Sequence, residues 1–221
     1  MRITVWDAAL RCFHWALAIL VVFSFVTGTV GGGWMAWHLR SGYAILALVV
    51  FRVAWGLAGS ETARFTSFLR GPAAAWAHAR DILARRHRAL VGHNPLGGWM
   101  VAFMLLAIAA QAASGLFADD EIATQGPLAV KVSNAFVGRM STFHHYNQWV
   151  VAGAVVLHVL AIAAYWKVLR SNLVKPMLDG RMEVAEGTTP PRMRSSWLAL
   201  VLLAASAAAV YGLVVVYPAS P

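Results

Sequence analysis

The sequence predicts an all-α fold, an integral membrane helical bundle of about five transmembrane helices. Three observations carry that prediction. Of 221 residues, 60% are hydrophobic and only 12% charged, against roughly 25% charged in an ordinary soluble domain. Mean hydropathy is positive, at +0.64. The charges are also segregated, leaving five long stretches that almost lack Asp, Glu, Lys and Arg. Lipid is the solvent that suits this pattern.

The stretches justify the helices in order. The first runs from Cys12 to Leu39 and is broken from the second by Gly31, Gly32 and Gly33. The second, Ser41 to Ser60, is interrupted only by Arg52. The third spans Ala89 to Ala118 and is entered through Asn94-Pro95 and Gly97-Gly98. Met140 to Trp166 forms the fourth, and Ser195 to the C-terminus the fifth. Each supplies the roughly 20 apolar residues of a bilayer span. A helix satisfies its own backbone, and no alternating strand pattern competes. The expected helices cover about 8–30, 37–58, 95–117, 143–168 and 196–217, in a single membrane domain over 1–221. The start of the chain lacks the short apolar run and small-residue cleavage site of a signal peptide.

Orientation follows from the basic residues of the connections. Gly59 to Asn94 holds Arg64, Arg70, Arg80, Arg85, Arg86 and Arg88, and Lys167 to Arg194 holds Lys167, Arg170, Lys175, Arg181, Arg192 and Arg194. The other side has Arg40, Lys131 and Arg139, beside the acidic run Asp119, Asp120, Glu121. Twelve basic residues against three place the basic loop 59–94 and the N-terminus in the cytoplasm. The same rule accounts for the net charge of +9 without a nucleic-acid partner. Within the loop, Pro72 to Arg88 reads as an amphipathic helix on the inner membrane surface, with Trp76 and Leu83 towards lipid. A solvated cytoplasmic helix accounts for it equally.

Eight histidines occur. His78, His87 and His93 sit in or beside the basic loop, where a histidine needs no special explanation. His14, His38, His144, His145 and His158 lie in or at the ends of spanning stretches, where an ionisable group is costly and points to function. From His144 to His158 is fourteen residues, a rise of about 21 Å. Fourteen steps of 100° end within about 40° of whole turns, so both rings leave one face. From His145 the ring points roughly the opposite way, which makes His145 a neighbour near a haem edge or the interface.

Two imidazoles on one face, one per leaflet, suit two stacked haems. Each iron needs a second axial ligand at its own depth. His14 lies near the inner end of the first helix, level with His158, and His38 near the outer end of the second, level with His144. The expected pairs are His14/His158 and His38/His144. Gly42 and Gly153 remove side chains where a flat macrocycle meets a helix; close helix approach explains them equally. Arg11, Arg40 and Arg52 are candidates for haem propionates, or for interfacial anchoring. Cys12 is the single cysteine, and no Cys-x-x-Cys-His occurs, so a haem here is not of c-type attachment.

These residues resemble the bacterial cytochrome b561 and nickel-iron hydrogenase cytochrome b family. The motifs that carry the resemblance are VWDAALRCFHW, WHLRSGYAILALVVFRVAWGLAGSETARFTSFLRGP, GHNPLGGWMV and FHHYNQWVVAGAVVLHVLAIAAYW, from Val5 to about Trp166. The resemblance implies two b haems held by histidines of the first, second and fourth helices, which map onto His14, His38, His144 and His158. It implies electron transfer between membrane quinone and a redox partner, which is a hydrogenase, a dehydrogenase or a c-type cytochrome. It also implies a multi-pass protein of the bacterial inner (plasma) membrane, with a quinone as a further ligand. The fifth helix exceeds the shorter four-helix members, and nothing here binds nickel or an iron–sulfur cluster, because one cysteine does not supply the ligand set. Two other functions stay open: a self-contained superoxide:quinone oxidoreductase, and a haem-free transporter or proton carrier using the same histidines.

Overall fold

The computed structural model describes residues 1–84 and 91–219, and of Leu83 the backbone only. Arg85, Arg86, His87 and Arg88 of the basic loop, and the side chain of Leu83, lie outside the described residues. A short strand β1 (Arg2–Thr4) leads into α1 (Ala8–Val30). Asp7 starts that helix, its Oδ1 accepting the Leu10 N–H at 2.7 Å while Oδ2 accepts the Trp55 indole N–H at 3.2 Å. Such a cap stabilises a helix end by about 1 kcal/mol. The helix stops where Gly31 (φ 69°) and Gly32 (φ 54°) take left-handed backbone that side chains disfavour. One 3₁₀ turn (Gly32–Trp34) then starts α2 (Met35–Ala58).

Two helices of the basic loop follow, α3 (Phe65–Phe68) and α4 (Pro72–Leu83). In α5 (Pro95–Gly115) proline again takes the first position, and Asn94 Oδ1 caps the Gly97 N–H at 2.8 Å. The longest helix, α6, covers Asn134–Lys167. Beyond it lie α7 (Val174–Asp179), β2 (Arg181–Glu183) and α8 (Ser196–Tyr211), which continues through a π-helical segment (Gly212–Val216) to Ala219. Strands β1 and β2 pair antiparallel, Arg2 opposite Glu183 and Thr4 opposite Arg181. Among the described residues, five helical stretches are long and apolar enough to cross a bilayer: Ala8–Val30, Gly32–Ala58, Pro95–Gly115, Asn134–Lys167 and Ser196–Ala219. Large apolar side chains such as Leu106 and Leu160 stand exposed along them, as lipid permits and water does not. The chain is an all-α, multi-pass membrane protein.

The chain divides into two compact units. The first comprises Met1–Cys12, Val53–Met104 and Ala154–Ala199. Its core holds Val5, Trp55, Ala63 and Phe68, and the Thr62 hydroxyl donates to the Val5 carbonyl. His78 is buried here, its Nε2 3.3 Å from the Tyr165 hydroxyl, which also accepts from Asn94 Nδ2 at 2.9 Å. His93 packs its ring against Trp6 and Phe68, at 4.6 and 4.5 Å between centroids. Both histidines therefore have structural work that their loop position does not announce.

The second unit comprises Phe13–Arg52, Leu105–Gly153 and Leu200–Pro221. One apolar cluster joins α1, α2, α5 and α6 through Ile45, Val49, Ala107, Ile108 and Val151, with Leu17 and Leu20 against it. A second joins α2, the connection after α5 and the last helical stretch through Ala47, Leu116, Leu128, Val210 and Val214. Burial of such side chains stabilises by roughly 1.5–3 kcal/mol each in water; within a bilayer the gain is close packing.

Candidate functional site

The second unit brings His38 of α2 and His144 of α6 together. Their ring centroids lie 6.0 Å apart with planes at 90°. Each ring is held by one backbone carbonyl. His38 Nδ1 lies 2.9 Å from the Ser24 carbonyl oxygen of α1, and His144 Nδ1 lies 2.9 Å from the Gln111 carbonyl oxygen of α5. A carbonyl only accepts, so Nδ1 carries the proton in both rings. The neutral ring then presents the Nε2 lone pair, the form that binds metals. A serine hydroxyl attends each nitrogen, Ser24 Oγ at 3.3 Å and Ser114 Oγ at 3.2 Å.

Close approach to those carbonyls requires glycine. A Cβ on Gly28 would stand 2.7 Å from His38 Nδ1, and one on Gly115 would stand 2.9 Å from His144 Cε1. The two cradles share one pattern, with the acceptor carbonyl at position i and glycine at i+4: Ser24 and Gly28 on α1, Gln111 and Gly115 on α5. Helical geometry stacks i and i+4 on one face. Gln111 is itself fixed, donating from Nε2 to the His144 carbonyl at 3.0 Å and accepting from Asn147 Nδ2 at 2.9 Å.

Both rings line a cavity of about 310 Å³ whose walls include Val21, Ile45, Ile108 and Gly42. Nothing stands within 4 Å of where a Gly42 Cβ would be. Gly153 is exposed with open space beside it as well. His145 lines the cavity but is exposed, with Gln148 Nε2 3.5 Å from its Nδ1. Asp119, Asp120 and Gln125 belong to the same lining. Asp120 Oδ1 accepts the backbone N–H groups of Thr124, Ala123 and Ile122 at 2.8, 2.9 and 2.9 Å. The Thr124 amide foremost, then those of Ala123 and Ile122, hold its carboxyl down to about 2 against some opposing desolvation.

The other two candidate ligands are half-buried and sit in different units, His14 on α1 in the second and His158 on α6 in the first. His14 meets Trp15 edge-on at 5.1 Å. Of the three arginines weighed for propionates, Arg11 donates from Nη1 to the Leu178 carbonyl, Arg40 stacks on Trp37 at 5.0 Å, and Arg52 is 1% exposed on α2.

The geometry of the His38–His144 pair defines what it can bind. Two metal–nitrogen bonds of about 2 Å each, with the half-widths of two imidazoles, come to roughly the observed centroid separation. Among the described residues no cluster of three or more His, Cys, Asp or Glu is placed to hold a metal ion. The two rings would hold a metal carried by a flat macrocycle, and the glycine-backed cavity, apolar at Val21, Ile45 and Ile108, would suit one. Sequence reasoning selected the two histidines and missed their holders, Ser24, Gln111, Ser114, Gly28 and Gly115. The available signal was the i, i+4 spacing of a polar residue and glycine on two different apolar helices.

Comparison with known proteins agrees with this chemistry. The family model described as prokaryotic cytochrome b561 matches residues 5–180. A probable Ni/Fe-hydrogenase B-type cytochrome subunit of Azotobacter chroococcum mcd 1 is 25% identical over 207 residues, covering 80% of this chain and 86% of the relative. The protein of the same description from Azotobacter vinelandii is 24% identical, with the same coverage. No solved structure matches the chain significantly.

Proposed function

Because the chain belongs to the prokaryotic cytochrome b561 family, and is thus a haem-b membrane protein of electron transfer, we propose that it holds two b haems and carries electrons between membrane quinone and a redox partner. The observation that carries this reading is the His38–His144 pair at 6.0 Å, each ring anchored through Nδ1 so that Nε2 remains for iron. These two residues would hold the outer haem. His14 and His158 are the proposed ligands of the inner haem, supported by their depth along the chain and by the fourteen-residue register of His144 and His158 on one continuous helix. When bound, haem supplies a one-electron couple.

The protein's part is orientation and exclusion. The Ser24 and Gln111 carbonyls fix the tautomer and ring direction, and a carbonyl acceptor at Nδ1 raises the basicity of Nε2. The apolar part of the lining, Val21, Ile45, Ile108 and Val151, lowers the local dielectric, one of the levers on a haem potential. Cytoplasmic orientation of the N-terminus in a bacterial inner membrane is part of the proposal, supported by twelve basic residues against three. Among possible partners a hydrogenase is favoured, since the relatives are described as hydrogenase cytochrome subunits.

The test is reduction in sealed liposomes. Purified protein should show a b-type spectrum, be reduced anaerobically by a quinol analogue, and be reoxidised through a copurifying partner. A chain without visible absorption belongs to the transporter reading. Turnover of superoxide with quinone alone, at rates matching quinol reduction, belongs to the self-contained oxidoreductase reading.

A further inference from the structure

A second cavity, of about 340 Å³, lies in the first unit and is lined by Arg64, Arg192, Met193 and Arg194. Its walls come from two connections: the turn after α2 and the strap that leads into α8. The strap is stiffened by Pro190 and Pro191, which fix φ and keep the chain extended. It is then pinned to the turn by three hydrogen bonds. Arg192 N–H donates to Glu61 Oε2 at 2.9 Å, Glu61 N–H donates to the Arg192 carbonyl at 3.0 Å, and Arg194 N–H donates to Ser60 Oγ at 3.0 Å. Ser60 is fully buried, so this anchor is set in the core of the unit. Across the cavity, Arg64 Nε donates to the Gly59 carbonyl at 2.9 Å.

Three arginines thus line one cavity with their backbones fixed. The Arg2–Asp179 ion pair lies elsewhere in the unit. Glu61 is the neighbouring acid, and its Oε2 is engaged by the Arg192 amide. Three arginines in one lining beside one carboxylate make the site positive, and the forked donors of a guanidinium match a phosphate group.

The position within the chain selects the source of that phosphate. The turn follows the end of a spanning helix at Ala58, and the strap precedes the start of another at Ser196. Leu57 is 70% exposed in the last turn of its span, before Arg64 in the chain, and Trp197 is 73% exposed in the first turn of the next, after Arg194. An indole at that level anchors at the headgroup boundary, and the leucine offers an apolar surface to acyl chains. We propose that Arg64, Arg192 and Arg194 form a binding site for the phosphate headgroup of one anionic phospholipid, with its chains along Leu57 and Trp197.

The test uses the full chain, purified in an uncharged detergent with its visible absorption intact, and counts retained lipid by native mass spectrometry. Phosphatidylglycerol is titrated against phosphatidylcholine of the same chains. The wild type should retain one phosphatidylglycerol with roughly tenfold preference or better, as a few charge-assisted hydrogen bonds give. The variant Arg64→Gln, Arg192→Gln, Arg194→Gln should lose that preference. A control with the same change in charge, Arg70→Gln, Arg80→Gln, Lys175→Gln, should keep it. If the triple site variant does not fold, Arg194→Gln alone carries the comparison. No preference in the wild type overturns the site. Equal loss in both triple variants overturns it in favour of bulk charge. Displacement of the lipid by excess inorganic phosphate assigns the arginines to free phosphate and overturns the lipid assignment.

Discussion

His38 and His144 face each other at 90°, and each reaches that position through the same contact on a different pair of helices. His38 of α2 leans on the Ser24 carbonyl of α1, and His144 of α6 leans on the Gln111 carbonyl of α5. Four helices thus determine two nitrogen positions through carbonyls whose places are set by helix geometry rather than by mobile side chains. A site preorganised in this way has its ligand geometry fixed in advance of any cofactor.

The first prediction concerns which histidines matter. His38→Ala or His144→Ala should remove the outer haem and leave the inner one, while His158→Ala should remove the inner and leave the outer. His145→Ala should retain both, since its ring is exposed beside Gln148. Reduced-minus-oxidised spectra of purified variants read this directly. A His144→Ala protein with both low-spin haems contradicts the pairing.

The glycine cradles give the second prediction. Gly115→Ala places a methyl 2.9 Å from His144 Cε1 and 3.2 Å from its Nδ1, and Gly28→Ala places one 2.7 Å from His38 Nδ1. Overpacking of this kind costs about 1–3 kcal/mol, and here it also displaces a ligand. Both variants should melt earlier and retain less haem than the wild type. Gly42→Ala meets no protein atom within 4 Å, so it should leave the melting of the haem-free protein unchanged and lower haem retention alone. Equal melting for all three haem-free proteins contradicts the cradle account.

Much of the fold was legible because a bilayer imposes a length. Charge-free stretches marked five spans, with the glycine triplet and Asn94-Pro95 between them. That His38 and His144 come to one level was also legible, from their places at the outer ends of the second and fourth spans. What holds them was not, because the Ser24 and Gln111 carbonyls act across helices and main-chain oxygen leaves no mark in a sequence. The burial of His78 and the ring packing of half-buried His93 were hidden by the basic composition around them; they arise from tertiary contacts to Tyr165, Trp6 and Phe68. The pairing of β1 with β2 joins segments almost the whole chain apart and only three residues long, too short for any alternation to register. The fourth helix begins at Asn134 rather than near 143, since Arg139 and nearby small residues lower the hydropathy without ending the helix.

Topology supplies the third prediction. A reporter that needs the cytoplasm should be active when fused within the Arg-rich loop 59–94. Activity of a periplasm-dependent reporter there would exchange the labels inner and outer for the two haems.

The fourth prediction concerns the acidic loop at the cavity. Acidic groups steer basic partners by long-range attraction. Neutralising Asp119, Asp120 and Glu121 together should slow association with a basic periplasmic partner, and flatten the salt dependence of the rate, since exposed charges are screened beyond about 10 Å at 0.1 M salt. An unchanged rate at low salt removes this role.

The pH dependence of the same loop follows from Asp120. Its carboxyl is held down to about 2 by backbone amides, so the folded loop binds the proton less readily than the unfolded chain. The stability it contributes is present above the ordinary carboxylate range and is lost as pH falls through about 2. Limited proteolysis around Ile122 should therefore be unchanged from neutral pH to about 4. Asp120→Asn should open the loop to cleavage at neutral pH. Onset of cleavage in the wild type at pH 4 contradicts the assignment.

The central claim is two b haems in one chain, and haem stoichiometry tests it most directly. A pyridine haemochrome assay on fully loaded protein, set against chain concentration from amino-acid analysis, should return two haem b per chain with no covalently retained haem after acid–acetone extraction. One haem per chain, or none, contradicts the account.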